Sequence, residues 1–260
     1  MLVNILAVGD VVGNCGVEFL SEKLRTVRKE QNIAFAVVNG ENASMSGLTP
    51  RQADDILAAG ADVITLGNHS FGRQNILPYL DECPYILRPA NLSPLSAGRG
   101  WGIFDSAFGP VCVVSLIGRC GMDFGADNPF FAADDILRRR ENAAVTLVDF
   151  HAEATSEKAA MAFHLDGRVS AVWGTHTHVQ TSDAGIFPKG TGFITDLGMT
   201  GPAVSVLGVR PEQSVARFLG DPARRPYEPA DGPCKLEAAV FSVDSATGLC
   251  QSAKAIRIPS

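Results

Sequence analysis

The sequence has no hydrophobic run approaching the roughly 20 residues that cross a bilayer, so no segment reads as a membrane span. The apolar run at the N-terminus is short and has no basic residues before it, which argues against a secretory leader. Cysteine is present at 15, 83, 112, 120, 234 and 250, but no pair has CxxC spacing and no zinc-knuckle pattern appears. The six are expected to be reduced thiols, several of them buried, as in cytoplasm. Positive charge is not in excess: 22 Lys and Arg against 28 Asp and Glu give a net charge of −6. That balance argues against stable binding of long nucleic acid, which needs a positive surface. It leaves room for a small anionic substrate, because a bound metal can reverse the local field. There is no internal repeat, no low-complexity segment and no evident linker, and 46% hydrophobic residues in 260 suffice for a sizeable core. The expectation is one domain over residues 1–260.

One arrangement recurs. A short run rich in Val and Ile breaks into Gly and a polar, ligand-type residue. The run through Val8 ends at Gly9-Asp10, and 34–38 ends at Asn39-Gly40-Glu41-Asn42. Residues 62–66 end at Gly67-Asn68-His69, and 111–117 at Gly118-Arg119. Residues 143–148 lead to Asp149-Phe150-His151, and 169–173 to Gly174-Thr175-His176-Thr177-His178. Continuous apolar runs of this kind suggest strands buried on both faces. Helical spacing covers 16–29, with Val17, Leu20, Leu24 and Val27 on one face. Thr49-Pro50 reads as a cap and first turn for a helix to residue 59, stopped by Gly60. Further helices are expected over 134–142, from a Thr155 or Ser156 cap to about 165, and over 213–219. Residues 198–234 are otherwise loop-rich with repeated Pro, and 235–258 read as a closing β-hairpin around residues 244–248. Strands alternating with helices indicate an α/β protein, whose ligands gather beyond the carboxyl ends of the strands.

Those ends carry Asp10, Glu41, Asn42, Asn68, His151, His176 and His178. Taken singly, each has a plain structural reading. Asn after Gly is turn chemistry, Glu41-Asn42 could be a loop cap, and His176 and His178 could be polar loop residues. Jointly they form a mixed oxygen and nitrogen donor set of the kind that suits Fe, Mn, Zn or Ni more than Ca²⁺. The spacing of His176 and His178 would put both imidazoles on one side of an extended backbone, within reach of adjacent ions. Two divalent ions carry about two more positive charges than Asp10 and Glu41 cancel, leaving a surplus for a hydroxide and an anionic substrate.

The segments Gly9-Asp10-Val11-Val12-Gly13, Asn39-Gly40-Glu41-Asn42-Ala43, Gly67-Asn68-His69, the run from Asp149 to Lys158 (Asp-Phe-His-Ala-Glu-Ala-Thr-Ser-Glu-Lys), Gly174-Thr175-His176-Thr177-His178-Val179-Gln180-Thr181 and the run from Thr195 to Pro202 resemble the YmdB-type bacterial metallophosphoesterases. The likeness covers nearly the whole chain. It implies a four-layer α/β/β/α sandwich, a dinuclear centre (often iron), homo-oligomers and phosphodiesterase activity on 2′,3′-cyclic nucleotides. By motif, Asp10 and His178 would hold one metal, and Asn68, His151 and His176 the other. Glu41 would bridge, and Asn42 would sit at the centre as a weak ligand or a substrate contact. His69, beside a ligand, would be the general acid for the leaving 2′-oxygen; the plainer reading is phosphate binding or turn structure. Many relatives continue Gly-Asn-His with Thr-Trp; Ser70-Phe71-Gly72 stand here, which bears on the pocket rim and substrate preference more than on catalysis.

Other polar residues have balanced readings. His164 is expected in the last turn of a helix, outside the site. Glu153 and Glu157 could orient ligands or could be solvated acids at a helix start. Arg88-Pro89-Ala90-Asn91 and Arg119 could contact phosphate or serve the loop, and Arg224-Arg225 reads as solvated surface. Two rival functions remain at this point: a broader phosphatase acting on monoesters, and a regulatory or RNA-associated protein with a structural metal centre.

Overall fold

The computed structural model describes residues 1–122, 125–140, 143–223 and 226–260. The first part of the chain forms β1 (Leu2–Val8), β2 (Asp10–Val11), α1 (Gly13–Glu30), β3 (Ile33–Asn39), α2 (Pro50–Ala59), β4 (Val63–Thr65), α3 (Ile76–Glu82) and β5 (Ile86–Leu87). The middle forms β6 (Trp101–Phe104), β7 (Val111–Ile117), α4 (Pro129–Arg139), β8 (Val145–His151), α5 (Thr155–Leu165), β9 (Ala171–Thr175), β10 (Gly185–Ile186) and β11 (Gly192–Ile194). The last part forms β12 (Met199–Pro202), α6 (Pro211–Phe218), β13 (Cys234–Asp244) and β14 (Cys250–Pro259).

These elements make a mixed α/β protein with two sheets. An eight-stranded sheet runs β2-β12-β13-β1-β3-β4-β5, with β14 paired to β13 off that path. A six-stranded sheet runs β10-β11-β9-β8-β7-β6. The central strands β1, β3 and β4 are parallel in the first sheet, as are β7, β8 and β9 in the second. Buried on both faces, they are mostly apolar, and every residue of β7 and β8 is buried.

The pleat sorts neighbouring residues into different cores. Leu6 and Val8 of β1 pack with Leu20, Leu24 and Ile56 from α1 and α2. Ile5 and Ala7 turn the other way and join Phe35, Val113, Leu147, Trp173 and Phe241 in a core drawn from both sheets. Trp173 stacks on Phe241 there, with centroids 5.8 Å apart. The other face of the six-stranded sheet, with Val114, Phe150 and Val172, packs on Met161 and Leu165 of α5 and on Ile136 of α4.

Thr49 caps α2 through a reciprocal box with Gln52, and Gly60 ends the helix in a left-handed conformation, as its sequence predicts. Elsewhere the bounds shift. Helix α1 begins three residues before the predicted start, at Gly13. Helix α4 begins at Pro129 behind an Asn128 cap, five residues before the expected 134, because Asn-Pro is itself a start signal. Residues 141 and 142 of that expected helix lie outside the described residues, as do Arg224 and Arg225. Thr155 is the first residue of α5 and not its cap; Ala154 holds the cap position without a side-chain bond. The loop-rich stretch contains strand β12, and the closing hairpin reaches Cys234 and Pro259. No helix among the described residues is long and apolar enough to cross a membrane. Four of the six cysteines are buried, Cys83, Cys112, Cys234 and Cys250.

Candidate metal centre

The parallel strands all deliver their polar residues to one end. Asp10 opens β2 just past β1, Glu41 and Asn42 follow β3, and Asn68 and His69 follow β4. His151 closes β8, and His176 and His178 follow β9. Asp10, Glu41 and His151 are wholly buried, and the others line the opening half-buried, apart from the buried Asn42.

Around His151 Nε2 stand Asn68 Oδ1 at 2.8 Å, Glu41 Oε1 at 2.9 Å and His176 Nδ1 at 3.1 Å. The outer partners fix which nitrogens carry protons. Thr175 Oγ1 donates to Asp149 Oδ1 at 2.7 Å and must therefore accept from His151 Nδ1 at 2.9 Å. Asp149 also accepts from Asn39 at 3.1 Å and from Thr65. Glu153 Oε2 lies 3.2 Å from His176 Nε2, and the Leu207 carbonyl accepts from His178 Nδ1 at 3.0 Å. Each imidazole is thus held by an acceptor on its outer nitrogen, leaving a lone pair on the inner one. Lone pairs of Glu41, Asn68, His151 and His176 facing one another at about 3 Å repel unless a cation or a proton lies among them. Glu41, His151 and His176 each offer an atom within 4.8 Å of the others, a fit for a transition-metal ion.

The second half of the cluster has the same signature. Asp10 Oδ1 is buried without a hydrogen-bond donor. It lies 3.7 Å from His178 Nε2, while Asp10 Oδ2 accepts from the His176 amide at 3.2 Å. A buried carboxylate oxygen left unpaired costs on the order of 1–3 kcal/mol or more, which a cation would offset. Asn42 Nδ2 lies 3.1 Å from His178 Nε2 and 3.5 Å from Glu41 Oε1, so Asn42 belongs to this half. Glu41 faces both halves, and its Oε2 accepts from the His69 amide at 3.1 Å.

Protonation follows the same field. At His151 burial favours the neutral ring, but Glu41 and Asp10 overcome it and raise the pKa to about 9. At His176 burial and the neighbouring His151 charge lower it to about 3. Burial raises Asp10 to about 6 against the attraction of His178 and His151. Burial also opposes ionisation of Glu41, yet His151 and His69 hold it at about 2. A proton on His151 and a cation would thus serve the same electrostatic purpose at this point.

Gly67 lets the two sheets meet. A Cβ there would come within 2.2 Å of His151 Cδ2 and 2.4 Å of Glu41 Oε2, so any side chain would displace His151 or Glu41. The backbone of His176 and His178 corrects the extended geometry expected of that pair. Their φ angles are 98° and 62°, in the left-handed region, and the turn sends His176 towards His151 and His178 towards Asp10.

The remaining polar residues divide. Glu153 reaches the centre through His176, whereas Glu157 accepts the amides of Arg119 and Cys120 and serves the loop. His164 pairs with Asp134 in the last turn of α5, outside the site. Arg88 donates to the Pro89 carbonyl, and Asn91 to the carbonyls of Ile117 and Asp127, which are structural tasks. Thr175, Asp149 and Leu207 had no assigned role from sequence. A buried acid inside an apolar run, two residues before His151 and so on its face of the strand, was the available sign for Asp149. Nothing local marked the Leu207 carbonyl.

A family described as YmdB-like protein matches residues 6–256. The chain belongs to that family. This YmdB-like chain is 38% identical over 257 residues to the 2′,3′-cyclic-nucleotide 2′-phosphodiesterase of Bacillus subtilis, covering 98% of the chain and 94% of the relative. Among solved structures, it is similar to a Mycoplasma pneumoniae protein described as a novel phosphatase, with 32% identity and a TM-score of 0.92, covering 100% of this chain and 94% of that one. A hypothetical protein from Thermus thermophilus gives 36% identity and a TM-score of 0.91, covering 99% of each chain.

Proposed function

We propose that this YmdB-like chain is a dinuclear-metal phosphodiesterase that hydrolyses 2′,3′-cyclic nucleotides to 3′-nucleotides. The observation that carries the reading is the convergence of inward lone pairs, each imidazole being oriented from outside. Asp10 and His178 would hold one ion, and Asn68, His151 and His176 the other, with Glu41 between them and Asn42 beside His178. The donor set accepts several transition metals, and the family resemblance favours iron, with Mn or Zn as alternatives. The bound ions would supply Lewis-acid charge and activate water for in-line attack on phosphorus.

The chain's own residues then orient the reaction. Glu41 holds the His69 backbone at the edge of the cluster. The His69 ring makes no side-chain hydrogen bond among the described residues and is half-buried. In this reading it would give a proton to the leaving 2′-oxygen as the bond from phosphorus to that oxygen breaks. Water's oxygen ends on phosphorus, and the product is a nucleoside 3′-phosphate.

The three packed cores support a four-layer α/β/β/α sandwich acting as one domain over residues 1–260. The resemblance supports a cytoplasmic homo-oligomer. The name of the B. subtilis relative supports the diester substrate. The description of the M. pneumoniae structure favours a second reading, a broader monoesterase with the same centre. A panel of 2′,3′-cyclic nucleotides and monoesters, run with Fe²⁺, Mn²⁺ or Zn²⁺, separates them. Opening of 2′,3′-cAMP to the 3′-phosphate is expected. Cleavage of monoesters with the cyclic compound left intact would overturn the diesterase reading.

A further inference from the structure

Lys158 and Asp196 form an ion pair with no metal-ligand atom in it, and both are buried, 1% and 0% exposed. Lys158 Nζ donates to Asp196 Oδ2 at 2.7 Å. Burying two charges is expensive, and a hydrophobic pair of similar volume is often as stable, so stability alone is a poor account of it. The lysine stem runs beside a glycine: a Cβ on Gly174 would lie 1.8 Å from the Thr195 carbonyl oxygen, 2.7 Å from Lys158 Cδ and 2.8 Å from Cε, so both the neighbouring backbone and the stem pass where the strand before the histidines has no side chain.

The carboxylate reaches the metal centre through backbone. Asp196 Oδ2 accepts the Thr177 amide at 3.2 Å, between His176 and His178. Asp196 Oδ1 accepts the Gly198 amide at 2.9 Å, and the Gly198 carbonyl accepts the Asp10 amide at 3.2 Å. The main chain of Asp196 brackets the far end of the same turn: its amide donates to Thr181 Oγ1 at 2.9 Å, and its carbonyl accepts the Thr181 amide at 3.1 Å. The carboxylate therefore holds the middle of the turn at Thr177 and ties it to the segment bearing Asp10, while the main chain of Asp196 holds Thr181 beyond it. The turn needs such a grip, because two non-glycine residues in left-handed backbone persist only when their surroundings hold them.

We infer that Asp196, neutralised by Lys158, is a positioning residue that sets the His176–Thr177–His178 turn and so the half of the centre formed by Asp10 and His178. This rests on reading those histidines as metal ligands. Among the described residues Asn68, Glu41 and His151 make no hydrogen bond or ion pair with Lys158 or Asp196, so the ion they share with His176 should depend on the pair less.

The test is the double variant Lys158→Met/Asp196→Asn, which removes both charges at similar volume. Its asparagine can no longer accept from both amides. Melting temperature monitors global folding. Amide exchange of residues 174–181 in the metal-free protein is expected to quicken at least about tenfold, with exchange of residues 2–8 unchanged. In metal titration the ion held by Asp10 and His178 is expected to weaken about 10–100-fold, and the other, which shares only His176 with the turn, to weaken less. Wild-type exchange over 174–181, or two ions bound at wild-type affinity, would overturn the inference. If wild-type protein takes up no second ion, the dinuclear reading falls, and the exchange measurement still decides whether the pair holds the turn. Should the double variant not fold, Lys158→Gln/Asp196→Asn, which keeps a hydrogen-bonding pair in the same space but likewise leaves one acceptor oxygen for the two amides, is read by the same exchange and titration, with the same outcomes expected and overturning.

Discussion

The two sheets contribute opposite chemistry to one site. The eight-stranded sheet supplies oxygen donors from Asp10, Glu41, Asn42 and Asn68, and the six-stranded sheet supplies nitrogen from His151, His176 and His178. They are also held differently. Carboxylates and amides offer several lone pairs, so a strand end that delivers them to the right place does most of the positioning. An imidazole offers one lone pair in one direction, and every histidine here has an outer acceptor that fixes it: Thr175 on His151, Glu153 on His176, the Leu207 carbonyl on His178. The oxygen half is specified by the strand ends, whereas the nitrogen half needs a second layer of residues.

The harshest way to break the comparison is His151→Ala, which removes the ligand facing both Glu41 and Asn68. Diesterase activity is expected to fall at least about 1,000-fold, as loss of several kcal/mol of charge stabilisation at about 1.4 kcal/mol per decade requires. Steady-state rates with saturating metal check this. Gly67→Ala should come next, about 100-fold or more in metal affinity at the upper end of ligand-shell effects, because its methyl presses on a residue from each sheet. Isothermal metal titration reads that loss, and unchanged affinity would mean that the two sheets can separate freely at this point.

Thr175→Val sharpens the contrast. It keeps shape but removes the acceptor for His151 Nδ1, and metal affinity should fall about 10–100-fold with the ligands themselves untouched. A loss of less than twofold would mean that strand geometry alone orients the ring.

These effects also mark where sequence reading stopped. Gly9-Asp10, Glu41-Asn42 and Gly67-Asn68 stood out only jointly, because one apolar strand after another ends in glycine and a polar residue, while each alone reads as turn or cap. The pattern likewise revealed the α/β alternation and the capped helix α2. Strand β12 was hidden because its Gly201 and Pro202 read as turn, and only pairing with β13 and β2 makes it a strand. The left-handed turn at His176 and His178 was hidden for a related reason. The side chain that bonds its central amide, Asp196, comes from another segment, so nothing within the turn announced it. The Leu207 carbonyl could not be read at all, since every residue has one.

The smallest expected effect tests the nitrogen side through stability. Burial works against ionisation of Asp183, but hydrogen bonds from the Thr181 and Thr195 hydroxyls and from the Thr195 amide outweigh it and hold the carboxyl below the ordinary range. The folded state thus binds fewer protons here than the unfolded chain. The stabilisation is fully present above the ordinary aspartate pKa, about 4, and is lost as pH falls through the lower folded value. Asp183→Asn should lower the melting temperature slightly at pH 7, and the gap from wild type should close as the pH drops below about 4. A gap that stays constant with pH would assign the effect to shape instead of charge.

Anomalous diffraction at the metal edge, on crystals grown from metal-loaded protein, tests the centre most directly. Two peaks about 3.5–4 Å apart are expected, one beside Asp10 and His178 and one beside Asn68, His151 and His176, with Glu41 between them. A single peak, or peaks away from these side chains, would contradict the account.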